Sequence, residues 1–167
     1  MNYESKQKIL GFPLVHITTG EVIEGRYKRG IAKGWIAIGD VSFGIIFALG
    51  GAAFGGIAIG GLGVGVLVLG GLALGGFAIG GGTIGVIAIG GGALATYAAY
   101  GGLAIAREYA YGGAAIAKYA NDPVAKYYFE NGMFTPLVTF ILKYSSWLIL
   151  LVFIPAIQNL IRKNKKT

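Results

Sequence analysis

The amino-acid sequence predicts a mainly β protein: a membrane-embedded parallel β-solenoid of five-residue repeats, followed by one C-terminal transmembrane α-helix. Three observations lead to this prediction. Glycine recurs every five residues through the middle of the chain. No Asp, Glu, Lys or Arg occurs between Asp40 and Arg107. A second apolar run extends from about Pro136 to Ile154 and precedes a basic tail.

The composition favours contact with a membrane. Of the 167 residues, 55% are hydrophobic and 13% are charged, whereas about 25% of residues are charged in typical soluble domains. The charge-free stretch is far longer than the roughly 20 apolar residues that span a bilayer once. We expect three regions: a polar N-terminal cap at 1–30, the repeat array at 31–128, and a transmembrane helix with a basic tail at 129–167.

The N-terminal cap combines short apolar runs with turn residues. Gly11, Pro13 and Gly20 separate these runs, and this pattern predicts short strands joined by turns. The first residues, MNYESKQKIL, lack a basic start followed by an apolar core, so no cleavable signal peptide is expected. We therefore expect a small polar cap before the array.

The array has the consensus large-small-large-Gly-variable, as in IAIGG, LVLGG, LALGG and FAIGG. A helix would spread the glycines around its surface, and each glycine would cost about 1 kcal/mol relative to alanine. A straight strand would exchange its two faces at every repeat, because five is odd. We therefore expect a strand of about three residues and then a corner, where glycine accepts a positive φ. Stacking of such coils gives a parallel β-solenoid.

The array resembles the pentapeptide-repeat proteins, whose five-residue units form the four sides of a square right-handed β-solenoid. The resemblance covers residues 31–128 and rests on the period and on a small residue two positions before a large one, as in 70–72 (GGL) and 117–119 (AKY). It implies about 20 residues per coil. The family has polar outward positions, which LALGG and FAIGG lack. In this respect the chain is similar to GGLAIG-type arrays in bacterial membrane proteins of unassigned activity.

Two orientations of the repeat are considered. Phe77 and Ile79 could both point inward, or Gly75 and Phe77 could do so and leave Ala78 and Ile79 outside. We expect the second, because two large side chains per side would crowd a narrow interior. Five coils spaced by about 4.8 Å would be roughly 24 Å tall, close to the ~30 Å hydrocarbon core of a bilayer.

Charged and aromatic residues lie at both ends of the array, where lipid headgroups would be. The N-terminal end is basic, the second end has balanced charges, and the C-terminal tail is basic, so the positive-inside rule predicts that both termini are cytoplasmic. Tyrosines cluster near the second end, as interfacial aromatics do. They are Tyr97, Tyr100, Tyr109, Tyr111, Tyr119, Tyr127 and Tyr128.

The sequence contains little that could support catalysis. It has no cysteine, and His16 is its single histidine, so we expect no metal and no cofactor. No serine has a base partner indicated by the sequence, and we expect no enzyme. Ionisable groups at membrane depth are candidate functional residues. These possible functional membrane charges are Lys143, Arg107 and Glu108.

The expected function is that of an integral membrane structural or scaffold protein that organises lipids or protein partners. Its expected partners are membrane lipids and a second copy of the chain through the solenoid faces. Nucleic acid is not expected, because the sequence has no basic stripe interleaved with exposed aromatics. One alternative is a transporter or channel subunit, which needs a polar path. Another is a soluble ice-binding-like solenoid, which needs regular outward threonines, whereas the array has Thr83 and Thr96. A bundle of glycine-rich helices is a third.

Overall fold

The computed structural model describes residues 2–23, 26–132, 139 and 143. Most of these residues are in strands, and one short helix follows them. The prediction of a mainly β protein is therefore confirmed, and a glycine-rich helix bundle is excluded for the array. The chain divides into two compact units, Met1–Ala125 and Lys126–Thr167.

Six short strands precede the array. β1 pairs antiparallel with β4, β2 with β3, and β5 with β6. The β2–β3 turn uses Leu10 and Gly11, which have φ angles of 52° and 81°. The strands are β1 (Asn2–Glu4), β2 (Lys8–Ile9), β3 (Phe12–Pro13), β4 (Val15–Thr18), β5 (Glu21–Ile23) and β6 (Arg26–Lys28).

The array forms three further strands: β7 (Ile31–Ile105), β8 (Tyr109–Ile116) and β9 (Tyr119–Ala120). β4 pairs with the start of β7, β7 with β8, and β8 with β9, all in parallel. The register offset is eleven residues from Ala98 to Tyr109 and ten from Tyr109 to Tyr119. We call residues 31–120 the strand stack.

The chain within β7 returns over itself every ten or eleven residues. Gly80 lies against the carbonyl oxygen of Gly70, and Gly70 lies against that of Gly60. Near the second end, the same relation joins Gly112 to Gly101. Each turn therefore contains two five-residue repeats, and the expectation of about 20 residues per coil is wrong. The interior is too narrow for four sides, because small side chains fill it.

The core of the stack is a double column of small side chains. The buried positions are the middle residues of the repeats: Ala48, Ala53, Ala58, Val68, Ala73 and Ala78 in one cluster, and Ala88, Ala93, Ala99, Ala104 and Ala110 in the next.

Both orientations considered from the sequence are therefore wrong. In FAIGG, Ala78 is 1% exposed, whereas Phe77 and Ile79 lie on the outer side and are partly exposed. Successive side chains of a strand point to opposite faces, so an inward alanine places both large neighbours outside. The interior holds side chains no larger than valine or threonine and leaves the larger apolar side chains of this repeat outside.

The glycines at the corners serve close backbone approach. Among the described glycines, φ is positive at Gly11 and Gly112, so the expected positive φ at every corner is wrong. A Cβ added to Gly80 would overlap the carbonyl oxygen of Gly70 in the neighbouring turn, whereas one added to Gly81 would lie 3.0 Å from the oxygen of Gly71. The first glycine of each pair is thus the sterically required one.

At residue 68 the core has a larger side chain than in most repeats. Val68 is 1% exposed and stands where most repeats have alanine, and Gly63 occupies the preceding middle position. A Cβ on Gly63 would overlap Cγ1 of Val68. The absent side chain at 63 therefore makes room for the valine.

We expect Gly63 and Val68 to be energetically coupled. Gly63→Ala should lower the free energy of unfolding by about 1–3 kcal/mol through overpacking, and Val68→Ala by about 2 kcal/mol through a cavity. The double variant should be more stable than the sum of the two losses predicts, because the smaller residue 68 accepts the new methyl group. Thermal unfolding of the purified variants measures this coupling, and strictly additive losses would contradict it.

The strand stack ends at Ala120, eight residues before the predicted array boundary of 128. Asn121, at φ 51°, accepts a hydrogen bond from the Gly112 N–H and donates one to the Gly112 carbonyl, both at 2.8 Å. The side-chain amide of Asn121 thus makes the two hydrogen bonds with Gly112 that the backbone of a further turn would otherwise make. The carboxylate of Asp122 then accepts the Ala125 N–H at 2.7 Å and caps helix α1.

Helix α1 spans Pro123–Asn131. The predicted transmembrane helix from about Pro136 lies outside the described residues, except that residues 139 and 143 are helical. Among the described residues, no helix has both the length and the apolar character needed to cross a membrane.

Candidate functional site

The candidate site is the outer surface of the strand stack, which has two faces. The Val68 face consists of the outward side chains that flank the inward residues Ala58, Val68 and Ala78. The Thr83 face consists of those that flank the inward residues Ala73 and Thr83. The surface between 41 and 105 has many large apolar side chains that are exposed. They are Phe43, Ile45, Ile46, Val66, Leu72, Leu74, Ile84, Val86, Leu94, Tyr97, Tyr100 and Leu103.

This apolar exposure is continuous over several turns. Leu74, Ile84 and Leu94 occupy the same position in successive turns and are 37%, 51% and 45% exposed. No Asp, Glu, Lys or Arg interrupts residues 41–106. Soluble monomers rarely expose large contiguous apolar patches, and such patches mark interaction surfaces. The stack surface therefore has the chemistry of a surface that contacts lipid or another apolar surface.

The N-terminal end of this surface is closed by a polar cluster around Asp40. The Tyr27 hydroxyl donates to Asp40 Oδ2, and the Gly30 N–H donates to the same oxygen at 3.1 Å. The hydrogen bond from Tyr27 holds the pKa of Asp40 below its ordinary value, and the Gly30 N–H adds to this effect. The same hydrogen bond raises the pKa of Tyr27, because it favours the protonated phenol.

We expect this cluster to be sensitive to acid. A lowered carboxyl pKa stabilises the folded state above the unfolded pKa, so the contribution is complete at neutral pH and is lost as the pH falls below about 4. The raised phenol pKa adds a second loss above about pH 10. Hydrogen exchange of the Gly30 amide, corrected for intrinsic rates, should show falling protection below about pH 4. Asp40→Asn should weaken protection at neutral pH and remove the acid transition; an unchanged transition would contradict the assignment.

The second end of the surface carries Arg107 and Glu108 at a corner of the stack. The Glu108 N–H donates to the Tyr97 carbonyl, and the Lys118 N–H donates to the Arg107 carbonyl, each at 3.2 Å. The Glu108 carboxylate lies 3.7 Å from the ammonium of Lys118. Arg107 is exposed. This arrangement is an exposed ion pair at the edge of the charge-free region, and such pairs contribute little to stability.

Lys143, the third predicted functional charge, occupies an exposed helical position in the second unit. Its neighbours in sequence, 140–142 and 144–150, lie outside the described residues.

Four of the tyrosines at the second end form two columns on the Val68 face. The rings of Tyr109 and Tyr119 stack with centroids 5.5 Å apart, and those of Tyr100 and Tyr111 with centroids 5.9 Å apart. Tyr97 meets Tyr109 edge to face at 5.6 Å. The sequence predicts the cluster but not its stacking. The spacing of ten and eleven residues between stacked tyrosines was the signal that could have predicted both the columns and the size of a turn.

Polar side chains inside the stack are hydrogen-bonded to neighbouring turns. The Ser42 hydroxyl donates to the Ala52 carbonyl at 3.5 Å, and the Thr83 hydroxyl donates to the Gly92 carbonyl at 3.2 Å. Both residues are buried.

His16 joins β4 to β7, because its Nδ1 accepts the Lys33 N–H at 3.0 Å. Within 2–23, 26–132, 139 and 143, no three His, Cys, Asp or Glu residues are grouped as metal ligands would be.

Comparisons of the chain with protein-family models, with curated proteins and with solved structures find no match.

Proposed function

We propose that residues 31–120 form a two-sided parallel β-solenoid that lies within a lipid bilayer, and that the protein is a membrane scaffold rather than an enzyme. One observation carries this proposal: large apolar side chains lie on the outer surface through the charge-free region, exposed on the Thr83 face and mostly partly exposed on the Val68 face, while small side chains fill the interior. This is the reverse of the soluble arrangement, in which large apolar side chains are inside. Lipid is a solvent in which the reversed arrangement is stable.

The height of the charge-free region supports this placement. Residues 41–106 contain no Asp, Glu, Lys or Arg. At ten or eleven residues per turn they make about six turns, and a strand spacing of about 4.8 Å gives roughly 30 Å. The hydrocarbon core of a bilayer is also about 30 Å thick.

The pairing of backbone hydrogen bonds also supports a position within the bilayer. Peptide groups in the bilayer core must be hydrogen-bonded within the protein. In a stack whose axis follows the bilayer normal, each turn pairs with the turns above and below, as β7 does with β8 and β8 does with β9. The lipid-facing sides then expose side chains, and unpaired strand edges occur at the two ends only.

The two ends fit the headgroup regions. Asp40 and its hydrogen-bonded partners lie at one limit of the charge-free region, and the Glu108–Lys118 pair lies at the other. The stacked tyrosines are next to the second limit, as expected for aromatic side chains at an interface. With the basic N-terminal segment and basic tail, we place both termini on the cytoplasmic side.

The alternatives are less well supported. A channel through the stack would need a polar interior, but alanine columns fill the space, and buried Ser42 and Thr83 are bonded to carbonyl groups. An ice-binding surface would need outward threonines, but Thr83 is 2% exposed and points inward. We therefore propose a scaffold whose faces contact lipid or apolar partners, including a second copy of the chain.

Carbonate extraction of membranes tests the proposal. The full chain and a chain shortened to residues 1–132 should both remain in the washed membrane. The shortened chain is the discriminating variant, because it retains the strand stack and removes the second apolar run. Recovery of both chains in the soluble fraction would contradict membrane insertion. If the shortened chain is recovered in the soluble fraction while the full chain stays in the membrane, insertion of the stack is contradicted.

A further inference from the structure

A shallow groove of about 240 Å³ lies at the N-terminal end of the strand stack, between strand β3 and the first turns of β7. Aromatic side chains form most of its wall, and one cationic side chain lies at its edge. The lining residues are Phe12, Lys33, Gly34, Phe43, Gly44, Ile45 and Phe54.

The groove has a clear structural origin. Gly34 and Gly44 are buried, and a Cβ on either would overlap a backbone carbonyl oxygen, that of Pro13 or of Phe47, so these glycines let the backbone pack closely at the base of the groove. The rings of Phe43 and Phe54 stack at 5.0 Å with an interplanar angle of 12° and form one wall. Phe12, brought from the β2–β3 hairpin and 48% exposed, lies opposite. The result is a shallow apolar groove, open to the surroundings, whose chemistry suits a hydrocarbon chain.

Lys33 supplies the one charge of the lining. Its ammonium lies 6.0 Å from the ring centroid of Phe43, and its backbone N–H is fixed by His16. Among the described residues, no carboxylate forms an ion pair with Lys33. Within the described part of the chain, the ammonium thus has no carboxylate that would compete with an anion from outside the protein.

Lys33 also begins a long apolar track. The equivalent outward positions in later turns are Phe43, Phe54, Val64 and Leu74, and the stacked phenylalanines show that these positions lie one above another. The track runs along the stack axis, so it would be parallel to lipid chains in the proposed membrane placement. A cation at the end of an apolar track complements a molecule with an anionic head and a hydrocarbon chain.

We propose that this groove binds an anionic phospholipid, with the phosphate at the Lys33 ammonium and one acyl chain along Phe12, Phe43 and Phe54. The inference rests on the proposed membrane placement. The apolar lining is what selects a lipid over free phosphate, because a single exposed lysine would hold a free anion weakly.

Native mass spectrometry of the full chain released from nanodiscs tests this site. With equal phosphatidylglycerol and phosphatidylcholine, the wild-type protein should retain the anionic lipid about fivefold more, since a lysine at a membrane surface contributes about 1 kcal/mol. Lys33→Gln should bring the ratio close to one, and Lys33→Arg should preserve it. Lys28→Gln, which removes the same charge from β6 outside the groove, should retain most of the preference.

Two further arms define the ligand. Phe12→Ala should reduce the retention of both lipids and leave their ratio unchanged, because it removes a wall of the groove and no charge. An excess of inorganic phosphate should displace no lipid; displacement would indicate a free-phosphate site and overturn the proposal. Equal effects of Lys33→Gln and Lys28→Gln, or no lipid preference in the wild type, would also overturn it. If the chain stays in carbonate-washed membranes in those cases, the membrane proposal stands and the lipid site alone fails.

Discussion

Gly80→Ala is expected to destabilise the protein by about 3 kcal/mol or more, whereas Gly81→Ala should change stability by less than about 1 kcal/mol. The two glycines are adjacent in the same repeat, so their helix and strand propensities are the same. They differ in what a new methyl group would meet. At Gly80 it would overlap the carbonyl oxygen of Gly70, and at Gly81 it would lie 3.0 Å from that of Gly71.

The obstacle at Gly80 is a backbone atom that other turns hold in place. Gly70 is itself packed against Gly60, so relief of the overlap requires the spacing between turns to increase. At Gly81 a shift of a few tenths of an ångström suffices, and alanine also restricts the unfolded chain. Midpoints of thermal unfolding by circular dichroism give the comparison. Equal loss at the two positions would contradict the stacking of turns at ten residues.

Ile84→Arg is the second substitution with a large expected effect. Ile84 is 51% exposed on the Thr83 face, in the middle of the charge-free region. In water, an arginine at so exposed a position would change stability by under about 0.5 kcal/mol. In the middle of a bilayer, an outward arginine on a β-structure costs about 2–4 kcal/mol. We therefore expect Ile84→Arg, made in the chain shortened to residues 1–132, to reduce the fraction that survives carbonate extraction severalfold.

Ile116→Arg is the matched control. Ile116 is 62% exposed and lies beyond Arg107, outside the charge-free region. The register pairs it with Ile105, so it occupies the equivalent outward position near the end of the stack. Ile116→Arg should leave the fraction retained in the membrane close to that of the same chain without the substitution. If the two arginine variants behave alike, the lipid-facing assignment of the middle turns is wrong.

The period of five correctly predicts strands interrupted by glycine corners, because neither a helix nor a straight strand agrees with an odd repeat. It could not determine how many repeats make a turn. Any whole number of five-residue units preserves the period, and the resemblance to square solenoids suggested four. The physical determinant is interior width. Alanine columns such as Ala73 and Ala78 can fill a space between two strands but would leave a four-sided coil hollow.

The orientation of the repeat could not be predicted for a related reason. The expectation that Phe77 is inside follows from proteins surrounded by water, in which large apolar side chains are buried. The alternation of a three-residue strand allows Phe77 and Ile79 to share a side with each other but never with Ala78. Once the interior holds only small side chains, valine and threonine being the largest, both large residues must lie outside.

The candidate site was predicted in part. The absence of charge between Asp40 and Arg107 marks the limits of the apolar surface directly in the sequence. The Tyr27–Asp40 hydrogen bond and the Phe12 wall of the groove were not predictable, because they join the N-terminal hairpins to β7 across segments with no repeat. Such contacts depend on how the hairpins fold back, and the period gives no information about them.

Polarised infrared spectroscopy of the protein in oriented bilayers tests the central claim most directly. In a stack whose axis follows the bilayer normal, strands lie in the membrane plane and their C=O groups point along the normal. The β-strand amide I band should therefore be polarised along the normal. A β band polarised in the membrane plane, or one without preferred orientation, would contradict a membrane-spanning strand stack.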